Sequence, residues 1–178
     1  MDHNDHVTLL RAGIPAPGGV WADLGSGAGA FTLALAELIG PTGQIHSVDK
    51  DRQALRQQKQ LMHGRFPDTA VTYHAADFSQ PLDLPPLDGI VMANALHFQP
   101  RPAQEAVVGH IAGYLRPGGR LILVEYDTDS GNSWVPHPLS FSSWQVLSGR
   151  CGFADTTLLA ARPSRFLGQI YAAVSVKI

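Results

Sequence analysis

Three glycines in five residues, Gly25, Gly27 and Gly29, separate an apolar run from a helix-forming one in Val20-Trp21-Ala22-Asp23-Leu24-Gly25-Ser26-Gly27-Ala28-Gly29-Ala30-Phe31. Glycine reaches backbone angles closed to other residues and lets a ligand touch the main chain. The start of the helix that follows offers that ligand unpaired N–H groups and a partial positive charge. A second strand, Gln44 to Val48, ends in Asp49, a little over 20 residues past the turn. A carboxylate at that place and distance can hydrogen-bond a ribose diol. These residues point to a nucleoside-containing cofactor. Gly25-x-Gly27-x-x-Ala30 also satisfies the dinucleotide pattern, so NAD(P) is one form that cofactor could take.

The elements that must position these groups are legible in order. Val7–Ala12 reads as a short helix before the loop from Pro15 to Gly19. Strand Val20–Leu24 leads through the glycine turn into a helix over Phe31–Ile39, with Phe31, Leu35, Leu38 and Ile39 on one face. Asp51–His63 reads as a helix with Ala54, Leu55, Leu61 and Met62 on its apolar side, a solvated polar side and Gly64 as its stop. Ala70–Ala75 is a third strand. A proline-rich loop then leads to Gly89–Ala93, whose continuous apolar character suits the middle of a parallel sheet. A helix over Ala103–Leu115 is broken by Arg116-Pro117-Gly118-Gly119 before a fifth strand, Arg120–Tyr126. A loop over 127–139 and a helix over Ser140–Arg150 follow. Asp155–Ala161 and Gln169–Lys177 are strands joined by a turn containing Pro163 and Gly168. So short a connection forces antiparallel pairing, because a parallel crossover needs a dozen or more residues. The fold class is α/β: a doubly wound, mostly parallel seven-stranded sheet with helices on both faces and an antiparallel C-terminal hairpin. The expected organisation is one domain over residues 1–178: an N-terminal helix and loop (1–19), a cofactor-binding core (20–126), and a helix with the closing hairpin (127–178).

Composition narrows the function. At 178 residues the chain is long enough for one substantial core. The net charge of −2 leaves no electrostatic footprint for nucleic acid or an anionic membrane. A single cysteine, Cys151, forms no internal disulfide and favours a reducing compartment, the cytoplasm. No apolar run approaches the ~20 residues of a membrane span, and the polar, acidic N-terminus is unlike a secretory signal. No metal-ligand set is assigned.

The order of strands and motifs resembles the class I S-adenosylmethionine-dependent methyltransferases. Asp23-Leu24-Gly25-Ser26-Gly27-Ala28-Gly29 is similar to that family's first motif, Asp49 to its ribose-binding acid and Ala76-Asp77-Phe78 to its adenine-binding motif. Leu115-Arg116-Pro117-Gly118-Gly119-Arg120-Leu121 is similar to the turn before its fifth strand. The resemblance implies S-adenosyl-L-methionine as cofactor. Gly25, Ser26 and Gly27 would then lie along its methionine part and Asp49 would accept from both ribose hydroxyls. The Lys50 stem would cover the adenine face, Asp77 would accept from adenine N6, and the Phe78 N–H would donate to N1. Asp23 bears on the choice of cofactor. A carboxylate two residues before the first glycine repels a pyrophosphate and attracts an ammonium or sulfonium, which argues against an NAD(P)-dependent oxidoreductase. A non-catalytic S-adenosylmethionine-binding protein stays open.

The implied reaction is in-line transfer of a methyl group to an oxygen or nitrogen acceptor, in which the protein mainly positions the reactants and supplies a base where one is needed. Acceptors belong beyond the C-terminal ends of the fourth and fifth strands, where Asn94, His97, Tyr126 and Asp127 stand; Asn94 is also a candidate for the cofactor site. His97 is the candidate base, since imidazole titrates near neutrality. His137, Trp134 and Trp144 are candidate pocket walls, with core or surface roles as the simpler alternative. The family's DNA-amino methylating enzymes carry Asn/Asp-Pro-Pro-aromatic where this chain has Asn94-Ala95-Leu96-His97, so no nucleic-acid partner is expected. A small molecule is expected as acceptor ahead of an exposed protein site.

Overall fold

Strand β4 (Leu87–Ala93) is buried along almost its whole length and lies at the centre of the sheet. The computed structural model describes residues 1–164 and 166–178. It contains α1 (His3–Arg11), β1 (Val20–Leu24), α2 (Ala30–Ile39), β2 (Gln44–Asp49), α3 (Arg52–Arg65), β3 (Ala70–Ala75), β4, a 3₁₀ turn (Leu96–Phe98), α4 (Arg101–Ala112), β5 (Leu115–Tyr126), α5 (Phe141–Arg150), β6 (Phe153–Ser164) and β7 (Gly168–Lys177). The sheet order is β3-β2-β1-β4-β5-β7-β6. Strands β1 to β5 pair in parallel, and β7 is antiparallel to both β5 and β6. The seven-stranded α/β architecture with its closing hairpin is therefore the one expected. Chain order reverses between β1 and β4, which opens a crevice at their C-terminal ends.

The core has two layers because β5 alternates. Leu121 and Leu123 face one layer with Trp144, Leu96 and Tyr171, while Ile122 and Val124 face the other with Leu35, Ile39 and Trp21. Trp144 is thus a core residue, and Trp134 is 75% exposed; neither lines the cavity described below. No helix of the described residues is long and apolar enough to cross a membrane.

Several boundaries differ from the periodicity, each for a local reason. Helix α1 begins at His3, four residues earlier than expected, because Asp2 and Asp5 form a reciprocal capping box. Helix α3 runs through Gly64, which stays at negative φ, and ends at Arg65, with Phe66 as its C-cap ahead of Pro67. Leu61 is exposed, while Gln58, on the side expected to be solvated, is fully buried. Helix α4 stops at Ala112, and Leu115 pairs with Leu87 in the sheet instead. The Arg116–Gly119 turn consequently lies within β5, where a register shift absorbs it. The chain between β3 and β4 forms no helix. Pro163 belongs to β6 and Gly168 to β7, so the two strands of the hairpin extend further than expected; residue 165 lies outside the described residues.

The segment from Asp127 to Ser140 is tied down by carboxylates. Asp127 accepts from the Phe141 N–H. Asp129 accepts from the Ser140 N–H and hydroxyl and the Ser143 hydroxyl, and pairs with Arg101. Partial burial alone would raise the Asp129 carboxyl, but the hydrogen bonds from Arg101, Ser140 and Ser143 outweigh it and lower the pKa from 3.8 to about 2. On acidification the unfolded chain takes up this proton first. The stabilisation is therefore complete above about pH 4 and is lost as pH falls toward 2. Because the carboxylate is half exposed, about 1 kcal/mol is expected. Thermal melts should show Asp129→Asn a few degrees less stable than the wild type at pH 7, with the gap narrowing between pH 4 and pH 2.5.

Candidate functional site

The glycine turn is stitched to the end of β2. Gly25 and Ser26 both donate their N–H to Val48 O, at 2.9 and 3.1 Å. The Gly27 N–H donates to Asp49 Oδ2 at 2.7 Å and the Asp51 N–H to Asp49 Oδ1 at 2.8 Å. Both carboxylate oxygens are oriented in this way, and each keeps a free lone pair. Gly25, at φ +76°, faces Ala95 and Phe78: a Cβ there would lie 2.5 Å from the Ala95 Cβ. Gly29 begins α2 at φ +91° with no side-chain cap, which leaves N–H groups of the first helical turn open.

A cavity follows, lined by Gly25, Asp49, Lys50, Asp77, Phe78 and Asn94 together with Ala95 and Phe98. Asp77 Oδ1 accepts from the Ser79 N–H and hydroxyl at 2.9 and 2.8 Å. These bonds, with a smaller contribution from the Lys50 charge, hold its carboxyl below the usual value. Asn94 adopts φ +50°, and its Oδ1 is buried without a hydrogen-bond partner. An orphaned acceptor in a cavity wall is a place where a ligand N–H gains a full hydrogen bond. A second cavity lies at the opposite end of β1, lined by Gly19, Asp88 and Arg116. Its carboxylate is already used, by the Val20 N–H and Arg116.

Beneath the turn lies a connected set of buried polar groups. Thr32 donates to Asp23 Oδ2 at 2.5 Å, and Gln58 Nε2 donates to Thr32 Oγ1 at 2.5 Å. Gln58 Oε1 accepts from Ser47 at 3.0 Å and Ser26 at 3.3 Å, and the two serine hydroxyls lie 2.8 Å apart. The Ser26 side chain therefore turns into the protein, away from the cavity. Asp23 is 1% exposed and does not line the cavity either. Burial, with the nearby Asp49 charge, pushes its carboxyl up to about 7, against the Thr32 hydrogen bond that favours the ionised form. Gln58 is not one of the residues that the motifs mark. Its spacing did carry a signal, since Leu55, Gln58 and Met62 fall at i, i+3 and i+7 on one stripe.

His97, in the 3₁₀ turn after β4, is 2% exposed. Its Nδ1 lies 2.9 and 3.0 Å from the two oxygens of Glu125, which is fully buried in β5. Its backbone oxygen accepts from the His137 N–H. Glu125 is a lone acid at the end of the apolar run Leu121–Val124, a signal visible in the sequence. Tyr126 lies beside the pair, its ring centroid 6.1 Å from that of His97.

A family model described as a methyltransferase domain matches residues 22–119, more than half of the chain and every element around the cavity. The chain belongs to the class I S-adenosylmethionine-dependent methyltransferases. Among curated relatives of this methyltransferase-domain chain, a ubiquinone/menaquinone biosynthesis C-methyltransferase of Saccharophagus degradans is 26% identical over 70% of this chain and 49% of its own length. A carboxy-S-adenosyl-L-methionine synthase of Aliivibrio fischeri is 34% identical over 58% of this chain and 43% of its own. A ribosomal RNA small subunit methyltransferase H of Paracidovorax citrulli is 36% identical over 33% of this chain and 19% of its own. The chain spans under half the length of these relatives. Among solved structures, a Burkholderia thailandensis 1,6-didemethyltoxoflavin-N1-methyltransferase with bound S-adenosylhomocysteine shares the fold. Its TM-score is 0.75 at 19% identity, covering 99% of this chain and 78% of that one.

The raised Asp23 carboxyl generates a test. Between about pH 4 and pH 7 the folded chain holds a proton that the unfolded chain has released, so this group makes stability fall as pH rises. Asp23→Asn keeps the acceptor for Thr32 and removes the charge. Chemical denaturation of the ligand-free protein should show the variant more stable than the wild type at pH 8, by up to roughly 4 kcal/mol, and nearly equal to it at pH 4.

Proposed function

We propose that this chain transfers the methyl group of S-adenosyl-L-methionine to an oxygen or nitrogen of a small molecule, working as a single methyltransferase domain. The reading is carried by Asp49: its two oxygens are fixed by the Gly27 and Asp51 N–H groups at the rim of a cavity walled by Gly25 and Asn94. In this reading Asp49 takes the ribose hydroxyls. The adenine end goes to Asp77, Phe78 and the Lys50 stem, and the methionine end to Gly25, Gly27 and Asn94. Bound cofactor supplies an activated methyl group on a positive sulfur. Asn94 Oδ1, without a partner, is suited to accept from the cofactor's ammonium. Asp23 acts from beneath the turn, where a cationic ligand favours its ionised form and a pyrophosphate opposes it. Ser26 contributes its backbone alone. His97 is the base that receives the acceptor's proton.

The net charge of −2 supports a small acceptor over a nucleic acid. The ribosomal RNA methyltransferase aligns with this chain over only 58 residues. With one cysteine, half-buried, a reducing cytoplasmic setting fits the same reading.

Calorimetric titration should detect S-adenosylmethionine and S-adenosylhomocysteine but not NAD(P), and a metabolite panel with the methyl donor then identifies the acceptor. Asp49→Ala should weaken cofactor binding at least tenfold; binding of NAD without S-adenosylhomocysteine would overturn the assignment. Because a cation favours ionised Asp23, S-adenosylmethionine should bind more tightly as pH rises from 6 to 8. In Asp23→Asn that dependence should flatten, with about a tenfold loss at pH 8, while adenosine, which lacks both cationic groups, responds to neither change.

A further inference from the structure

The cavity at the opposite end of β1 encloses about 300 Å³ between the loop before β1 and the turn near the start of β5. Pro15, Pro17 and Pro117 give it apolar walls, while Trp21, Arg116 and Arg120 bring hydrogen-bond donors. Trp21 is 2% exposed, yet its indole N–H makes no hydrogen bond among the described residues. The fully buried unpartnered side-chain atoms among those residues are Asn94 Oδ1 and Trp144 Nε1, so Trp21 Nε1 keeps an open side. Gly19, another wall of the cavity, leaves that side clear. It sits at φ +82°, and a Cβ there would lie 3.2 Å from Nε1. An indole N–H can only donate. A buried donor left without a partner is a place for an acceptor brought by a ligand.

Charge points the same way. Asp88 is the carboxylate of the lining, and its two oxygens already accept from the Val20 N–H and from Arg116. Arg120 is half-buried and makes one side-chain hydrogen bond among the described residues, from Nη1 to Gly13 O at 3.3 Å. The rest of its N–H fork is open to a ligand. Two guanidinium groups against one carboxylate leave the lining net positive. A guanidinium fork matches the paired oxygens of a carboxylate or a phosphate. The volume is at the small end of the range in which proteins hold small molecules.

We propose that this cavity binds a small organic anion, apart from the crevice where Asp49 and Asn94 lie. Arg120 and the Trp21 N–H hold its carboxylate or phosphate group, Arg116 adds positive charge, and the prolines cover a compact apolar body. The site does not depend on the methyl-transfer reading, because none of its residues takes part in that reading.

Trp21 reports its own occupancy. The three tryptophans give three indole signals in a ¹H–¹⁵N spectrum of the labelled full chain. The Trp21 signal is identified by cross-relaxation with Gly19 and by its loss in Trp21→Phe. Titration with benzoate and with phenyl phosphate distinguishes the two acid groups, and benzyl alcohol is the neutral control of similar size. At least one anion should move the Trp21 signal saturably, leaving the Trp134 and Trp144 signals in place, and benzyl alcohol should move none. Arg120→Gln should weaken that anion tenfold or more. Arg116→Gln, at an exposed position, should weaken it several-fold and decides the matter if the Arg120 variant does not fold. The proposal is overturned if neither anion moves the Trp21 signal saturably or if benzyl alcohol moves it equally. It is also overturned if the folded arginine variants bind the anion as tightly as the wild type.

Discussion

The glycine turn has to be bare enough for a ligand to touch and still enough to hold that ligand, and Gln58 reconciles the two demands. One side-chain amide reaches from α3 to Thr32 on α2, Ser47 on β2 and Ser26 in the turn. Each side chain in the set is hydrogen-bonded to another, which lets so many polar groups be buried together. An apolar residue at this position would leave three hydroxyls short of a partner. The absence of a side chain at Gly29 belongs to the same design, because a Cβ there would lie 2.4 Å from the Gln58 Cγ.

Two carboxylates stand on either side of this support with different environments. Asp49 is half-buried and takes two backbone N–H groups. Asp23 is buried and takes a single hydroxyl, with the Asp49 charge nearby. Their surroundings separate a half-buried carboxylate held by backbone N–H groups from a buried one whose ionised form is disfavoured. The energetic consequence is that burial and the Asp49 charge together disfavour the ionised form of Asp23, the form that a nearby cation would favour.

At the far side of the crevice the chain is held by separate means. Asn94 stays in the left-handed region while its N–H donates to Val124 O. His97 is fixed from one side by Glu125 and from the other by His137, whose segment is pinned by Asp129 and by the Tyr171 hydroxyl on Leu139 O. The 3₁₀ turn therefore rests on β5 and on the loop after it, so the two ends of the crevice are braced by different parts of the chain.

The features legible in the sequence were local ones. The alternation of strands and helices, the antiparallel hairpin, the glycine turn and Asp49 each follow from spacing within a few tens of residues, and so the fold and several of the residues that meet at the cavity could be read directly. Element boundaries were less legible where a distant pairing competed with helical period, as at Leu115, which β4 draws into the sheet. The side to which a polar side chain turns was decided only by tertiary structure. Ser26 and Asp23 stand in the motif yet point into the protein, and Gln58 and Glu125, unremarked in the sequence, became the partners that orient Thr32 and His97. A hydrogen bond between residues 28 positions apart, such as His97 with Glu125, leaves no periodic trace; it exists because the parallel register sets the ends of β4 and β5 side by side.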